Sequence, residues 1–378
     1  MKSKFARGAV ASAALLVACA WAGAAAADGP QIVAGPSADA KCYAPWAADT
    51  KLYQYAAKKG PYRIAIANGY IANSWRIQMI KTAKAYASQP AVAANIKEFK
   101  VVSVGEDVAA QISAINNFID SGFDAIVIDA NNPEAFGAVI KRAKAAGIPL
   151  IAFDNVLNST DVINVNVDQV GIGAIQSKWL IDHLPNGGSV VEVRGPAGQG
   201  VDTDRHNGLH AGLDASGKKW SVTEVVGKWD DATAQKVVAD AIAVHGHFDG
   251  IAAQGGDTGV VQALVDAKHP FVTFAGETEN GFRKACAAHE KDGLLCSSAG
   301  TGPAQVAVAI KTALDVLSGQ VIPQAVKLPT SVTTAPDFKD GENFYSNQSD
   351  NFFVGNAFPD CKININAVEI MGKNEKNE

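Results

Sequence analysis

From Tyr62 onward, short apolar runs alternate with stretches whose apolar positions recur at helical spacing. Arg63-Ile64-Ala65-Ile66-Ala67 is a run of strand type, followed by a helical stretch at 74–88 and a strand at 98–104. Val108, Ile112, Ile115 and Ile119 recur every three or four positions, which predicts an amphipathic helix over 107–121. Ala125-Ile126-Val127-Ile128 reads as a strand, 133–146 as a helix and 149–153 as another strand. Gly147-Ile148-Pro149 stops the helix and restarts extended chain. Four β-α units in under a hundred residues predict a parallel sheet with helices on both faces.

The pattern then restarts. Strands are expected at 162–167, 189–193, 222–227, 250–253, 271–275 and 294–297. Helices are expected between them at 170–184, 204–215, 232–244, 258–267 and 281–289. Val306, Ile310, Ala313 and Leu317 mark a last long helix. The fold class is therefore α/β, with two doubly wound parallel-sheet lobes. Residues 28–60 read as an extension with one short helix around 47–58, and the tail from about 331 is polar and aperiodic.

Residues 1–27 stand apart. Lys2, Lys4 and Arg7 precede an apolar run from Ala9 to about Trp21, and Ala25-Ala26-Ala27 precedes Asp28. This is the layout of a secretory signal peptide cleaved before Asp28. Leu16-Val17-Ala18-Cys19 offers a second reading, a lipobox in which Cys19 is lipidated and becomes the mature N-terminus. Either route exports the protein to the periplasm.

Composition sharpens this outline. A length of 378 residues exceeds what one compact core usually holds, and the 48% hydrophobic content excludes disorder over most of the chain. The net charge is −5; without Lys2, Lys4 and Arg7 it becomes −8, since residues 1–27 hold no acidic group. A chain without basic excess is a poor ligand for nucleic acid. Removing Cys19 leaves Cys42, Cys286, Cys296 and Cys361. An even count in an oxidising compartment points to two bridges, Cys286 with Cys296 across a helix-to-strand turn and Cys42 with Cys361 near the chain ends. Free buried thiols are the alternative; zinc would require tighter spacing.

In open parallel sheets, ligands bind beyond the carboxyl ends of the strands. The residues there form a coherent set. The first strand leads to Asn68-Gly69-Tyr70 and then Asn73-Ser74-Trp75-Arg76, and the fourth ends in Asp154-Asn155. The second half supplies Arg205, Trp229-Asp230, Gln254-Gly255-Gly256-Asp257 and Glu277. Indoles stack on the C–H faces of a sugar ring, while carboxylates, amides and a guanidinium fork onto neighbouring hydroxyls.

These segments resemble the periplasmic sugar-binding proteins of ABC importers, of the ribose-binding type. The resemblance covers roughly 61–330. It rests on Ile64-Ala65-Ile66-Ala67-Asn68 leading into Asn73-Ser74-Trp75-Arg76, and on Gly122-Phe123-Asp124-Ala125-Ile126-Val127-Ile128. Ala146-Gly147-Ile148-Pro149-Leu150-Ile151-Ala152-Phe153-Asp154 and Asp204-Arg205-His206-Asn207-Gly208-Leu209 also carry it. It implies that Asp154 and Arg205 take sugar hydroxyls, with Asn73, Trp75 and Trp229 beside them. It also implies departures. Gly256 replaces the Asn of the family's Asn-Asp pair, leaving Asp257, with Gln254 to supply the missing amide. Ala275-Gly276-Glu277 replaces Phe-Asp, so Glu277 takes the aspartate's place with a longer arm, which argues against ribose itself.

The full expected ligand set is Asn73, Trp75, Arg76, Asp154, Asn155, Arg205, Trp229, Gln254, Asp257 and Glu277. The resemblance further implies a first lobe of 61–167 plus 300–328, a second lobe of 168–299, and a tail, 329–378, wrapping the lobes. Three hinge crossings are expected near 166–168, 299–302 and 326–330. The expected role is capture of a carbohydrate by hinge closure and delivery, as a monomer, to an inner-membrane permease. Presentation of a ligand to a membrane receptor is the alternative.

No cofactor, metal or catalytic group is expected. Gly195-Pro196-Ala197-Gly198-Gln199-Gly200 lacks the Gly-Lys-Ser/Thr of a phosphate loop. G-x-S-x-G, H-E-x-x-H and G-x-G-x-x-G motifs are absent. His206 and His210 lie four apart and His245 and His247 flank Gly246, but neither pair has a carboxylate in a recognisable metal motif. The related effector domains of repressors would need a helix-turn-helix where this chain has its leader.

Overall fold

In a computed structural model that describes residues 29–378, the extension forms strands, not the expected helix at 47–58. Strand β1 (Gln31–Val33) pairs antiparallel with β2 (Leu52–Gln54). The physical reason is the alternation in β2. Tyr53 is buried and its hydroxyl donates to the Thr160 carbonyl at 2.7 Å, while Leu52 and Gln54 lie half-buried. A helix would break that alternation. The leader, its cleavage point and Cys19 lie outside the described residues.

The first alternation gives β3 (Tyr62–Asn68), α1 (Ser74–Ser88), the one-turn α2 (Pro90–Ala93), β4 (Ile96–Ser103) and α3 (Val108–Asp120). It continues through β5 (Ala125–Asp129), α4 (Gly137–Ala145), β6 (Leu150–Phe153) and β7 (Ile163–Asn166). The second gives α5 (Gln169–His183), β8 (Gly187–Arg194), α6 (Gly200–Ala215), β9 (Lys219–Val226) and α7 (Asp231–His245). It continues with β10 (Gly250–Ala253), α8 (Asp257–Asp266), β11 (Thr273–Gly276), α9 (Asn280–His289) and β12 (Cys296–Gly300). Helix α10 (Gln305–Leu317) and strands β13 (Val321–Pro323), β14 (Ala325–Lys327) and β15 (Ser331–Thr334) follow.

Two six-stranded sheets result. The first has the order β14-β7-β6-β5-β3-β4 and is parallel throughout. The second has the order β15-β12-β11-β10-β8-β9, parallel except for β15. Strand β5 is buried at every position and β3 at all but Arg63, because helices cover both faces. Ile64 and Ile66 point into one core with Ile80 and Ile310, whereas Ala65 and Ala67 face another with Ile115 and Phe118. Each fully buried Ile of this kind contributes about 1.5–3 kcal/mol.

The chain passes between the sheets after β7, after β12 and between β14 and β15. The tail adds a fourth passage. It first lies on the second lobe, where β15 pairs with β12 and the Asn280 amide donates to the Phe352 carbonyl at 2.8 Å. It then returns to the first lobe, where Gln78 donates to the Phe353 carbonyl at 2.9 Å. Its last residue exchanges backbone bonds with Val101 of β4 at 3.0 and 3.1 Å. Disulfides join Cys42 to Cys361 and Cys286 to Cys296. The first ties the extension to the tail. Among the described residues no helix is long and apolar enough to cross a membrane.

Candidate functional site

A cleft holding about 500 Å³ of empty space, part of it open to solvent, lies where the carboxyl ends of the two sheets face each other. The first lobe lines it with Asn73, Trp75, Arg76, Asp154 and Gln305, and the second with Gln169, Arg205, Trp229, Gln254 and Glu277. Eight of the ten expected ligand residues are in its wall. Asn155 and Asp257 are not, and each supports a wall residue from behind.

Asp154 follows β6 and holds φ at 56°, in the left-handed region that L residues rarely adopt. Gln305 donates to its Oδ1 at 2.9 Å and Asn155 to its Oδ2 at 3.1 Å. The remaining lone pairs of the carboxylate are open to the cavity. Asn155 itself is fully buried. Its Oδ1 accepts the backbone N–H of Val201 at 3.0 Å, a bond between the lobes.

Asn73 caps α1 by accepting the Arg76 amide at 2.8 Å, so its NH₂ group is what it can offer a ligand. Arg76 is buried and bound mainly to protein. It pairs with Asp129, donates to Asn68 at 2.9 Å, and lies 3.8 Å from Asp154. Burial pushes the Asp129 carboxyl well above its usual range, against the pull of Arg76. Arg76 thus braces the Asp129–Asp154 pair, a narrower role than the sequence implied. Trp75 donates its indole N–H to the Thr301 carbonyl at 3.3 Å, which presents the ring to the cavity.

In the second lobe, Arg205 donates from Nε to Gln169 at 2.8 Å, and from Nη1 to the Gln254 carbonyl at 3.0 Å and to Glu277 at 3.2 Å. Its Nη2 has no protein partner among the described residues. Burial raises the Glu277 carboxyl, with Arg205 opposing. The Glu277 carboxylate fills the space over Gly300, where a Cβ would stand 1.8 Å from Oε1. Trp229 also holds φ at 56°, and its ring lies against Gly195, where a Cβ would stand 2.2 Å from Cε2.

Two expected residues are already engaged by the protein. The Gln254 side chain lies in the wall, where it accepts from the Trp229 indole at 3.4 Å and donates to the Asp202 carbonyl at 3.1 Å, so it also positions Trp229. Asp257 is fully buried behind the wall and accepts the Glu277 amide at 2.6 Å. Asp257 opens α8, and Gly256 before it lines the cleft while the Asp257 side chain does not. Burial raises its carboxyl well above the usual range.

The sequence reading missed Gln169, Thr301, Gln305 and Phe353 in the wall. Gln169 and Gln305 each open a helix directly after a crossing of the chain, a position that marks the cleft. Phe353 comes from the tail, and nothing near it in sequence signals the site.

Comparison with known proteins fits this geometry. Residues 64–320 match the family model described as a periplasmic binding protein domain. A xylitol-binding protein of Mycolicibacterium smegmatis is 30% identical over 191 residues, 48% of this chain and 54% of that protein. A D-xylose-binding periplasmic protein of Escherichia coli is 28% identical over 43% of this chain and 52% of its own length. The chain thus spans about half the length of these two relatives. A D-ribose/D-allose-binding protein of Pseudomonas aeruginosa is 29% identical over 72% of this chain and 89% of that protein. These relatives are solute-binding proteins, not enzymes. The fold matches an ABC transporter solute-binding protein from Thermobispora bispora with a TM-score of 0.72 at 23% identity, over 84% of this chain and 98% of that one. With two parallel-sheet lobes about one polar cavity and a family match over most of its length, the chain belongs to the periplasmic binding protein family.

Proposed function

We propose that the protein is exported to the periplasm, captures a neutral sugar or polyol between its lobes, and hands it to a membrane permease. One observation carries this reading. A single cavity receives indoles, carboxylates and a guanidinium from both lobes. Asp154, Arg205 and Glu277 offer hydroxyl-sized acceptors and donors, and Trp75 and Trp229 offer ring faces. The cations are matched within the protein, Arg76 by Asp129 and Arg205 by Glu277, so no unpaired cation calls for an anionic ligand. A hydrogen bond to a charged group contributes about 1.5–3 kcal/mol, and micromolar binding requires only about 8.

The conformation described is closed. Asn155 bonds Val201, Arg76 lies 3.4 Å from Gln199, and Tyr70 donates to the Lys228 carbonyl at 3.3 Å, each across the cleft. A ligand touching both lobes stabilises that state because the open state offers it only half the contacts. Asp154 and Trp229, two of the five non-glycine residues at positive φ among the described residues, lie in the cavity wall, where strain of about 1–3 kcal/mol per residue is in keeping with a ligand site.

Isothermal titration against pentoses, hexoses, polyols and nucleosides tests the assignment. Heat with a neutral polyhydroxylated compound is expected. Silence across every carbohydrate refutes it. Co-purification with the permease, as opposed to a receptor, then separates delivery from sensing.

A further inference from the structure

A second cluster of chemistry lies on the other side of helix α6 from Arg205. Residues Val190 and Glu192 of β8 face the α5–α6 layer, as the packing of Val190 on Leu180, Leu209 and Leu213 shows. Glu192 is the register partner of Glu224 on the edge strand β9, so the two carboxylates stand side by side. Like charges so placed repel unless a cation joins them. His206 and His210, one helical turn apart on α6, point down at this pair.

The distances are short. His206 Nδ1 lies 3.0 Å from both Glu192 oxygens and His210 Nε2 lies 2.8 Å from Oε2. Glu224 reaches within 4.0 Å of His206. One ligand atom from each of the four residues falls within 4.8 Å of the others. Glu192 has a side chain only 1% exposed, and the two imidazoles are its ion-pairing partners among the described residues. Arg194 pairs with Glu224 at 2.9 Å but also with Asp202 at 2.8 Å, so it keeps a partner if Glu224 turns to a metal.

We infer that Glu192, His206, His210 and Glu224 form a site for one divalent transition-metal ion of the zinc class. A tetrahedral ion with bonds of about 2.0–2.2 Å sets its ligand atoms roughly 3.3–3.6 Å apart, a spacing the four atoms reach by small side-chain rotations. Two imidazoles with two carboxylates suit zinc, cobalt or nickel and exclude the all-oxygen shells of calcium and magnesium. The ion would join α6, the helix that carries Arg205 into the cleft, to the edge of its sheet.

Untagged mature protein, stripped with chelator and titrated with zinc chloride, tests this. Calorimetry and elemental analysis are expected to give one zinc per chain, and melting temperature is expected to rise with zinc. His206→Ala/His210→Ala should lose the ion while keeping the far-UV spectrum of the parent. If that pair disturbs the fold, His210→Ala alone, with a side chain 30% exposed, serves in its place and should weaken binding by more than the roughly 100-fold that loss of an outer-shell partner can cost. His247→Ala, at the stacked His247–His269 pair, should bind as the parent does. Absence of stoichiometric zinc in the parent, or a zinc that survives loss of His206 and His210, overturns the assignment.

Discussion

Arg205→Ala is the most informative perturbation of the cleft. The guanidinium holds three protein bonds at 2.8, 3.0 and 3.2 Å and has its Nη2 end left for ligand. Two hydrogen bonds from that end, at about 1.5–3 kcal/mol each, correspond to two or more decades of affinity. We expect the sugar identified by titration to bind at least about 100-fold more weakly. Stability should fall separately, because Glu277 is 4% exposed at its side chain and loses its cation. Breaking a buried pair costs about 3–5 kcal/mol, and proton uptake by Glu277, whose carboxyl is already raised, lessens that cost. The loss in melting temperature should therefore be smaller in mild acid than at neutral pH. Adding Glu277→Gln removes the stranded charge, so it should restore stability without restoring affinity. Calorimetric titration and scanning calorimetry of the parent, both singles and the double measure each term. Arg205→Ala binding within a few-fold of the parent would refute the site, and so would affinity rescued by Glu277→Gln.

Three further outcomes follow from the same geometry. Asn155→Ala removes the bond to Val201 across the cleft, worth about 0.5–1.5 kcal/mol, so the closed population and the apparent sugar affinity should both fall by about 2- to 12-fold. Small-angle scattering with titration checks this, and unchanged values for both refute closure through that contact. Burial raises the carboxyls of Asp129, Asp257 and Glu279 well above their usual range. Their stabilising contribution is complete below the ordinary carboxylate range and is lost as pH rises through the folded-state values. Melting temperature should thus decline as pH rises above the ordinary carboxylate range, less steeply in Asp257→Asn, and a rise there contradicts the reasoning. Cys42→Ser/Cys361→Ser opens a bridge spanning 319 residues, for which chain entropy gives about 5–6 kcal/mol. Chemical denaturation should show a large loss, and an unchanged midpoint would mean that the tail is held by its other contacts.

Much of the cleft was legible because parallel sheets place their ligand groups at strand ends, and strand ends are local features. Asp154 after β6, Trp229 after β9 and Glu277 after β11 were found in this way. Direction was not legible. Asp257 and Gln254 stand at equally suitable positions, but one turns behind the wall and the other holds Trp229. Which way a side chain turns depends on neighbours such as the Glu277 amide and the Asp202 carbonyl, which are remote in sequence. The helix expected near 47–58 failed for a related reason. That segment is extended because Tyr53 and β13 give it a place in a small sheet.

By itself, the sequence determined two βα-alternating lobes, the cysteine pairs and most of the polar residues that meet in the cleft. The lobes and the strand-end residues depend on periodicity and residue type over a few neighbouring positions, whereas the Cys42–Cys361 pair, 319 residues apart, follows from the even cysteine count. Tertiary structure alone decided that the tail crosses back over the cleft and sets Phe353 in its wall. It alone decided that Arg76 braces Asp129. It also brought Glu192 and Glu224 beneath His206 and His210. The helix shows only half of that cluster, and the carboxylates come from strands whose register is set by hydrogen bonding across the sheet.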